Sequence, residues 1–126
     1  MVGFVIVSHS QNVAESVVEL TKMMAPDVPI AAAGGLEDGS FGTSFEKISN
    51  AIDSIYSEDG VLVLMDMGSA VMTTEMVIES MEGRKVKMVD CPLVEGAVAG
   101  TVEAMVGSDM DALIASLSEV ASVAKF

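Results

Sequence analysis

Four short apolar runs punctuate this chain, and the stretch between each pair is long enough for one helix. They are VGFVIV at 2–7, VPIAAA at 28–33, VLVLM at 61–65 and the weaker VKMV at 86–89. Unbroken apolar runs of this length suit strands buried on both faces, as in a parallel sheet. The intervening segments carry helical periodicity. Val13, Val17, Leu20 and Met24 form one stripe, with Asn12 and Glu15 as a capping box and Pro26 as the stop. Thr43 and Glu46 open a second helix with the stripe Phe45, Ile48, Ile52 and Ile55. A third spans about 69–81, a fourth about 95–106, and a fifth begins near Ser108. This order predicts an α/β fold: a doubly wound, mainly parallel four-stranded sheet flanked by helices. Whether residues 91–98 add a last edge strand stays open.

The 126 residues suit one domain, 1–126. With 51% hydrophobic residues and only 4% aromatic, the core is expected to be aliphatic and Met-rich. Met65, Met67, Met72 and Met76 are expected in it, with Met67 alone also read as a docking candidate. Six basic residues against 19 acidic ones exclude a nucleic-acid surface and disfavour anionic membranes. The net charge of −13 favours a basic partner, solubility being the plainer reading. Cys91 is the only cysteine, so no internal disulfide forms, and beside Pro92 it reads as a small buried residue. There is no signal-like n-region and no apolar run of transmembrane length, which predicts a cytoplasmic protein. One His and one Cys make no metal cluster, though a carboxylate-only site stays open. No nucleotide-binding glycine motif is present, and no cofactor is expected.

In a doubly wound sheet, ligands bind beyond the carboxyl ends of the strands, where strand order reverses. Ser8, His9 and Ser10 follow the first run, Gly34 and Gly35 the second, Asp66 to Ala70 the third, and Asp90 and Cys91 the fourth. If the first and third strands are neighbours, His9 and Asp66 face each other. A carboxylate that accepts from one ring nitrogen fixes the tautomer and leaves the other nitrogen nucleophilic. Gly68, Ser69 and Ala70, at the start of the third helix, offer backbone donors for a phosphoryl group, and Ser10 at the first helix adds to them. Gly34, Gly35 and Thr43 are further loop contacts. Each residue also has a plain reading: a hydrogen-bonded loop His, a turn or capping Asp, and glycines that permit a turn.

FVIVSHS at 4–10 and GVLVLMDMGSA at 60–70 resemble the phosphorylated site of the mannose-type IIA domains of the bacterial phosphotransferase system. AAAGG, GTSFEKI and CPLVEGAVAG resemble, more narrowly, the phosphocarrier subunits of PEP-dependent dihydroxyacetone kinases. The resemblance implies that His9 accepts phosphate from the phosphocarrier HPr, with Asp66 matching the family's aspartate. It implies passage to ADP on the subunit DhaL, which serves dihydroxyacetone bound on DhaK. It also implies a homodimer and an antiparallel edge strand. A chain of one such domain would take phosphate from separate carriers. The family's Trp and further glycines after the aspartate are missing here, which favours the dihydroxyacetone branch. The competing readings are a IIA component delivering phosphate to a IIB protein and a regulatory module that only docks. An aspartate-phosphorylated receiver domain is disfavoured by the first strand, which lacks an acidic pair for Mg²⁺.

Overall fold

The computed structural model describes residues 1–126. Strands β1 (Gly3–Ser8), β2 (Ile30–Gly34), β3 (Val61–Met65) and β4 (Val86–Met88) alternate with helices α1 (Gln11–Thr21), α2 (Phe45–Ile55) and α3 (Ser69–Ser80). Helices α4 (Leu93–Met105) and α5 (Met110–Leu117) follow, with a short 3₁₀ turn at Val120–Ser122. The sheet order is β2-β1-β3-β4 and every pairing is parallel. β1 therefore lies inside the sheet and is buried along its whole length, as its unbroken apolar run requires. Strand order reverses at β1, with β2 on one side and β3 on the other.

Alternate residues of each strand feed two cores. Phe4, Ile6, Leu62 and Leu64 pack with Ala14, Val17 and Ala97 and with Leu113 and Leu117 beneath α1, α4 and α5. Val5, Val7, Val61 and Val63 pack with Ile48, Ile52, Ala70 and Val77 beneath α2 and α3. Each such fully buried large side chain contributes about 1.5–3 kcal/mol relative to exposure.

The expected helix stripes are rotated in two places. In α1 the inward residues are Ala14, Val17 and Thr21, while Val13, Leu20 and Met24 are exposed. The reason is close approach. A Cβ on Gly34 would stand 2.8 Å from Ala14 Cβ and 2.4 Å from the Ser10 carbonyl, so only small side chains fit that face. In α3, Ala70, Thr74 and Val77 face inward, and Met72 and Met76 are 72% and 54% exposed. Met67 is exposed too, so of the four methionines expected in the core only Met65 packs against it, whereas Met110 is fully buried in the first core and Met81 and Met88 pack against the second. The caps also move. Ser10 rather than Asn12 caps α1, Ser44 rather than Thr43 caps α2, and Asp109 rather than Ser108 caps α5. No strand forms at 91–98, because these residues enter α4. The four-stranded sheet of this chain is thus wholly parallel, without the antiparallel edge strand.

Candidate functional site at the carboxyl ends of β1 and β3

β1 and β3 run side by side in parallel, with Val7 opposite Met65. The two residues that leave these strands, His9 and Asp66, are thereby brought together on one edge of the sheet. His9 Nδ1 lies 3.0 Å from Asp66 Oδ1, and the His9 backbone N–H donates to Oδ2 at 3.1 Å. The Met67 N–H donates to Oδ1 at 2.8 Å and the Ser8 hydroxyl to Oδ2 at 2.9 Å. The carboxylate therefore receives four donors and its orientation is fixed.

Burial raises the Asp66 carboxyl pKa. The backbone N–H and the ring of His9, the Ser8 hydroxyl and the His9 charge together outweigh that burial and hold it below the usual aspartate value. An ionised Asp66 accepts the proton on Nδ1, so the lone pair of neutral His9 sits on Nε2. The Ser69 hydroxyl, at the start of α3, meets Nε2 at 2.6 Å. Both side chains remain about one-fifth exposed, 22% for His9 and 19% for Asp66, so the pair is held firmly yet reachable.

The N-terminal end of α3 supplies donors beside Nε2. The N–H groups of Gly68 and Ser69 have no hydrogen-bond acceptor within the protein, whereas Ala70 N–H is bonded to the Met67 carbonyl. Ser10 is occupied otherwise than expected: its hydroxyl caps α1 by accepting from Val13 N–H. Gly35 adopts φ +68°, a conformation that favours glycine, and its N–H bonds the Ser8 carbonyl. The Gly34 carbonyl accepts from Lys47 Nζ at 2.7 Å. The Thr43 hydroxyl pairs with that of Thr73 at 3.1 Å, away from the imidazole. These three loop residues frame the site and make no hydrogen bond to the His9 ring.

Ser8 was not among the expected site residues. It is wholly buried, accepts from Ser10 N–H at 3.0 Å and donates to Asp66, so it ties the start of α1 to the carboxylate. Its signal in the sequence is a polar residue closing an otherwise apolar strand.

A cavity of about 450 Å³ adjoins the site on the β4 side, lined by Asp66, Met67, Gly68, Val71, Asp90 and Cys91 among others. Burial, aided by Asp90, pushes the Cys91 thiol up to about 11. Cys91 is thus a poor nucleophile. No group of three or more His, Cys, Asp or Glu side chains is placed to hold a metal ion. No helix is long and apolar enough to cross a membrane.

Residues 3–114 match the EIIA-man family model, described as PTS system fructose IIA component. The chain is 42% identical over 121 residues to the PEP-dependent dihydroxyacetone kinase phosphoryl donor subunit DhaM of Escherichia coli K12. That match covers 90% of this chain and 26% of the E. coli protein, so the chain spans about a quarter of that relative's length. It is 39% identical to the corresponding subunit 1 of Listeria innocua, covering 94% of both chains. The mannose/sorbose-specific IIA subunit from Enterococcus faecalis shares the fold at a TM-score of 0.61 and 22% identity, over 99% of this chain and 94% of that one.

Proposed function

The chain belongs to the EIIA-man family, in the branch of the DhaM phosphoryl donor subunits, and from that premise we propose that it carries a phosphoryl group on Nε2 of His9. The observation that carries this reading is the 3.0 Å contact between His9 Nδ1 and Asp66 Oδ1, which directs the ring's lone pair to the accessible nitrogen. In the first half-reaction phosphorylated HPr presents its phosphoryl group. The lone pair of Nε2 forms the new N–P bond as the donor's N–P bond breaks, and that electron pair returns to the donor imidazole. Positive charge developing on the His9 ring is offset by Asp66. The Ser69 hydroxyl swings off Nε2 and donates to a phosphoryl oxygen, joined by the N–H groups of Gly68 and Ser69.

In the second half-reaction ADP on DhaL supplies the attacking oxygen of its terminal phosphate. The Nε2–P bond breaks, its electron pair returns to Nε2, and ATP forms on DhaL for phosphorylation of dihydroxyacetone on DhaK. The chemistry needs no cofactor on this chain. The same reading places the protein in the cytoplasm as a homodimer.

Intact-mass measurement after incubation with PEP, enzyme I and HPr tests this. One added phosphoryl group, mapped to His9, absent in His9→Ala and lost on addition of ADP-loaded DhaL, is the expected result. Phosphorylation that persists in His9→Ala refutes the site. Phosphorylation that DhaL–ADP does not discharge refutes the acceptor.

A further inference from the structure

Lys47 is the third residue of α2, so its charge stands in the first turn, where the helix dipole opposes a cation. It forms no ion pair. Glu37, whose carboxylate feels the Lys47 charge, bonds the Ser44 hydroxyl instead. The partly buried lysine donates from Nζ to the Gly34 carbonyl at 2.7 Å.

The Gly34 carbonyl and the Gly35 N–H belong to one peptide group. That N–H donates to the Ser8 carbonyl at 3.1 Å. The Ser8 carbonyl and the His9 N–H form a second peptide group, and the His9 N–H donates to Asp66 Oδ2 at 3.1 Å. Two peptide groups therefore join an ammonium to a carboxylate through three consecutive hydrogen bonds, all donated in one direction, from the end of β2 across β1 to the end of β3. Parallel pairing sets this up, since Ser8 lies opposite Gly34 in the register of β1 and β2. Gly35 takes its place at φ +68°, and a Cβ on Gly34 would stand 2.4 Å from the Ser10 carbonyl, so the first peptide group needs both glycines.

Each link strengthens the next. A cation on a carbonyl draws electron density from the amide, which makes the N–H of the same peptide a better donor. The chain ends on the carboxylate whose other oxygen lies 3.0 Å from Nδ1 of His9. We propose that Lys47 is a positioning residue for phosphoryl transfer: through the Gly34–Gly35 and Ser8–His9 peptide groups, its charge holds Asp66 ionised and aligned on the His9 ring. The inference rests on the carrier reading above and adds to it a cation that acts without touching the phosphoryl group. A lysine that only fastened α2 to the sheet would leave the His9 N–H and the transfer step as they are.

Amide proton shifts and transfer rates test this together. Lys47→Met keeps the aliphatic stem and removes the charge. In it the His9 amide proton should move upfield, although that N–H bonds Asp66 and not Lys47. Single-turnover transfer from phospho-HPr at varied concentration should show a maximal rate lowered about two- to fivefold, the scale of weakening a hydrogen bond to a charged group by about a third. The half-saturating concentration of phospho-HPr should not change. Lys47→Arg keeps the charge and should hold both shift and rate near the wild type. The chain is also probed from its far end with Lys47 in place: Asp66→Asn should move the Gly35 amide proton upfield, although Gly35 bonds the Ser8 carbonyl and not Asp66. That arm decides the question even if Lys47→Met fails to fold.

An unmoved His9 amide proton in folded Lys47→Met overturns the proposal, as does an unmoved Gly35 amide proton in Asp66→Asn. A raised half-saturating concentration at an unchanged maximal rate overturns it too, because Lys47 would then be a contact of the donor. An equal loss in Lys47→Arg and Lys47→Met removes charge as the cause. If phospho-HPr labels neither the wild type nor the variants, the carrier reading fails, and the two amide shifts still report separately on the hydrogen-bonded chain.

Discussion

Asp66 engages His9 through both of its oxygens, Oδ1 to the ring at 3.0 Å and Oδ2 to the backbone N–H at 3.1 Å. One carboxylate thus fixes where the imidazole sits and which of its nitrogens holds the proton. Position and tautomer are set by the same group.

Asp66→Asn keeps an acceptor near Nδ1 and removes the charge. Phosphorylation by phospho-HPr should fall roughly 100-fold or more, the scale of a lost proton-holding partner, while the far-ultraviolet circular dichroism is retained. Nitrogen-15 NMR of the imidazole should show a larger share of the Nε2–H tautomer. An unchanged rate would remove Asp66 from the chemistry.

The folded Asp66 carboxyl titrates below its ordinary value of 3.8. Its contribution to stability is therefore complete above 3.8 and is lost as pH falls through the lower folded value. The difference in melting temperature between the wild type and Asp66→Asn should be constant from neutral pH down to about 4 and shrink below it. A gap that widens on acidification would contradict the assigned hydrogen bonds.

Ser8→Ala removes a buried donor to Asp66 and the acceptor of Ser10 N–H. The cost should be about 1–3 kcal/mol, because a polar group is left without a partner in a closed site. Denaturant unfolding measures this. The phosphorylation rate should fall as the carboxylate loses one of its four donors, and an unaltered rate would confine Ser8 to a structural role.

Gly34→Ala would place a methyl group 2.4 Å from the Ser10 carbonyl and 2.8 Å from Gln11 Cα, both backbone atoms of the α1 start. The helix must shift, at a cost of about 1–3 kcal/mol. Since Ser10 directly follows His9, phosphorylation should slow as well. Gly39→Ala serves as the contrast, since its added Cβ meets nothing within 4 Å and only its positive φ opposes the change.

Cys91, with its thiol near 11, has about one molecule in a thousand ionised at pH 8. Iodoacetamide should alkylate the native protein about 100-fold more slowly than a free thiol, and the unfolded chain at the ordinary rate. Fast native alkylation would point to an open path through the cavity beside Asp66.

Much of the architecture was legible because buried parallel strands leave unbroken apolar runs. The runs at 2–7, 28–33, 61–65 and 86–89 became β1 to β4, with the first strand beside the third. Helix faces were less legible. Periodicity marks Val13 and Leu20 as readily as Ala14 and Val17, and nothing local in the sequence says how closely α1 approaches Gly34. The α3 methionines misled in the same way, since hydropathy records what a side chain is and not which way the helix is turned. The caps at Ser10, Ser44 and Asp109 each lie within two residues of the expected positions, so the competing Ser, Thr and Asn residues were separated only by geometry.

The sequence by itself determined the alternating α/β order and put one His and one Asp at the ends of two strands. Tertiary structure alone decided that Asp66 would meet Nδ1 rather than Nε2, that Ser8 would lock the carboxylate, and that the methionines of α3 would face solvent. The physical reason is that composition and period act along the chain. The direction of a hydrogen bond depends instead on residues far apart in the chain, 57 positions for His9 and Asp66 and 60 for Ser69 and His9, and the inward face of α1 depends on its approach to Gly34 in the neighbouring strand. Those distances exist only once the sheet has formed.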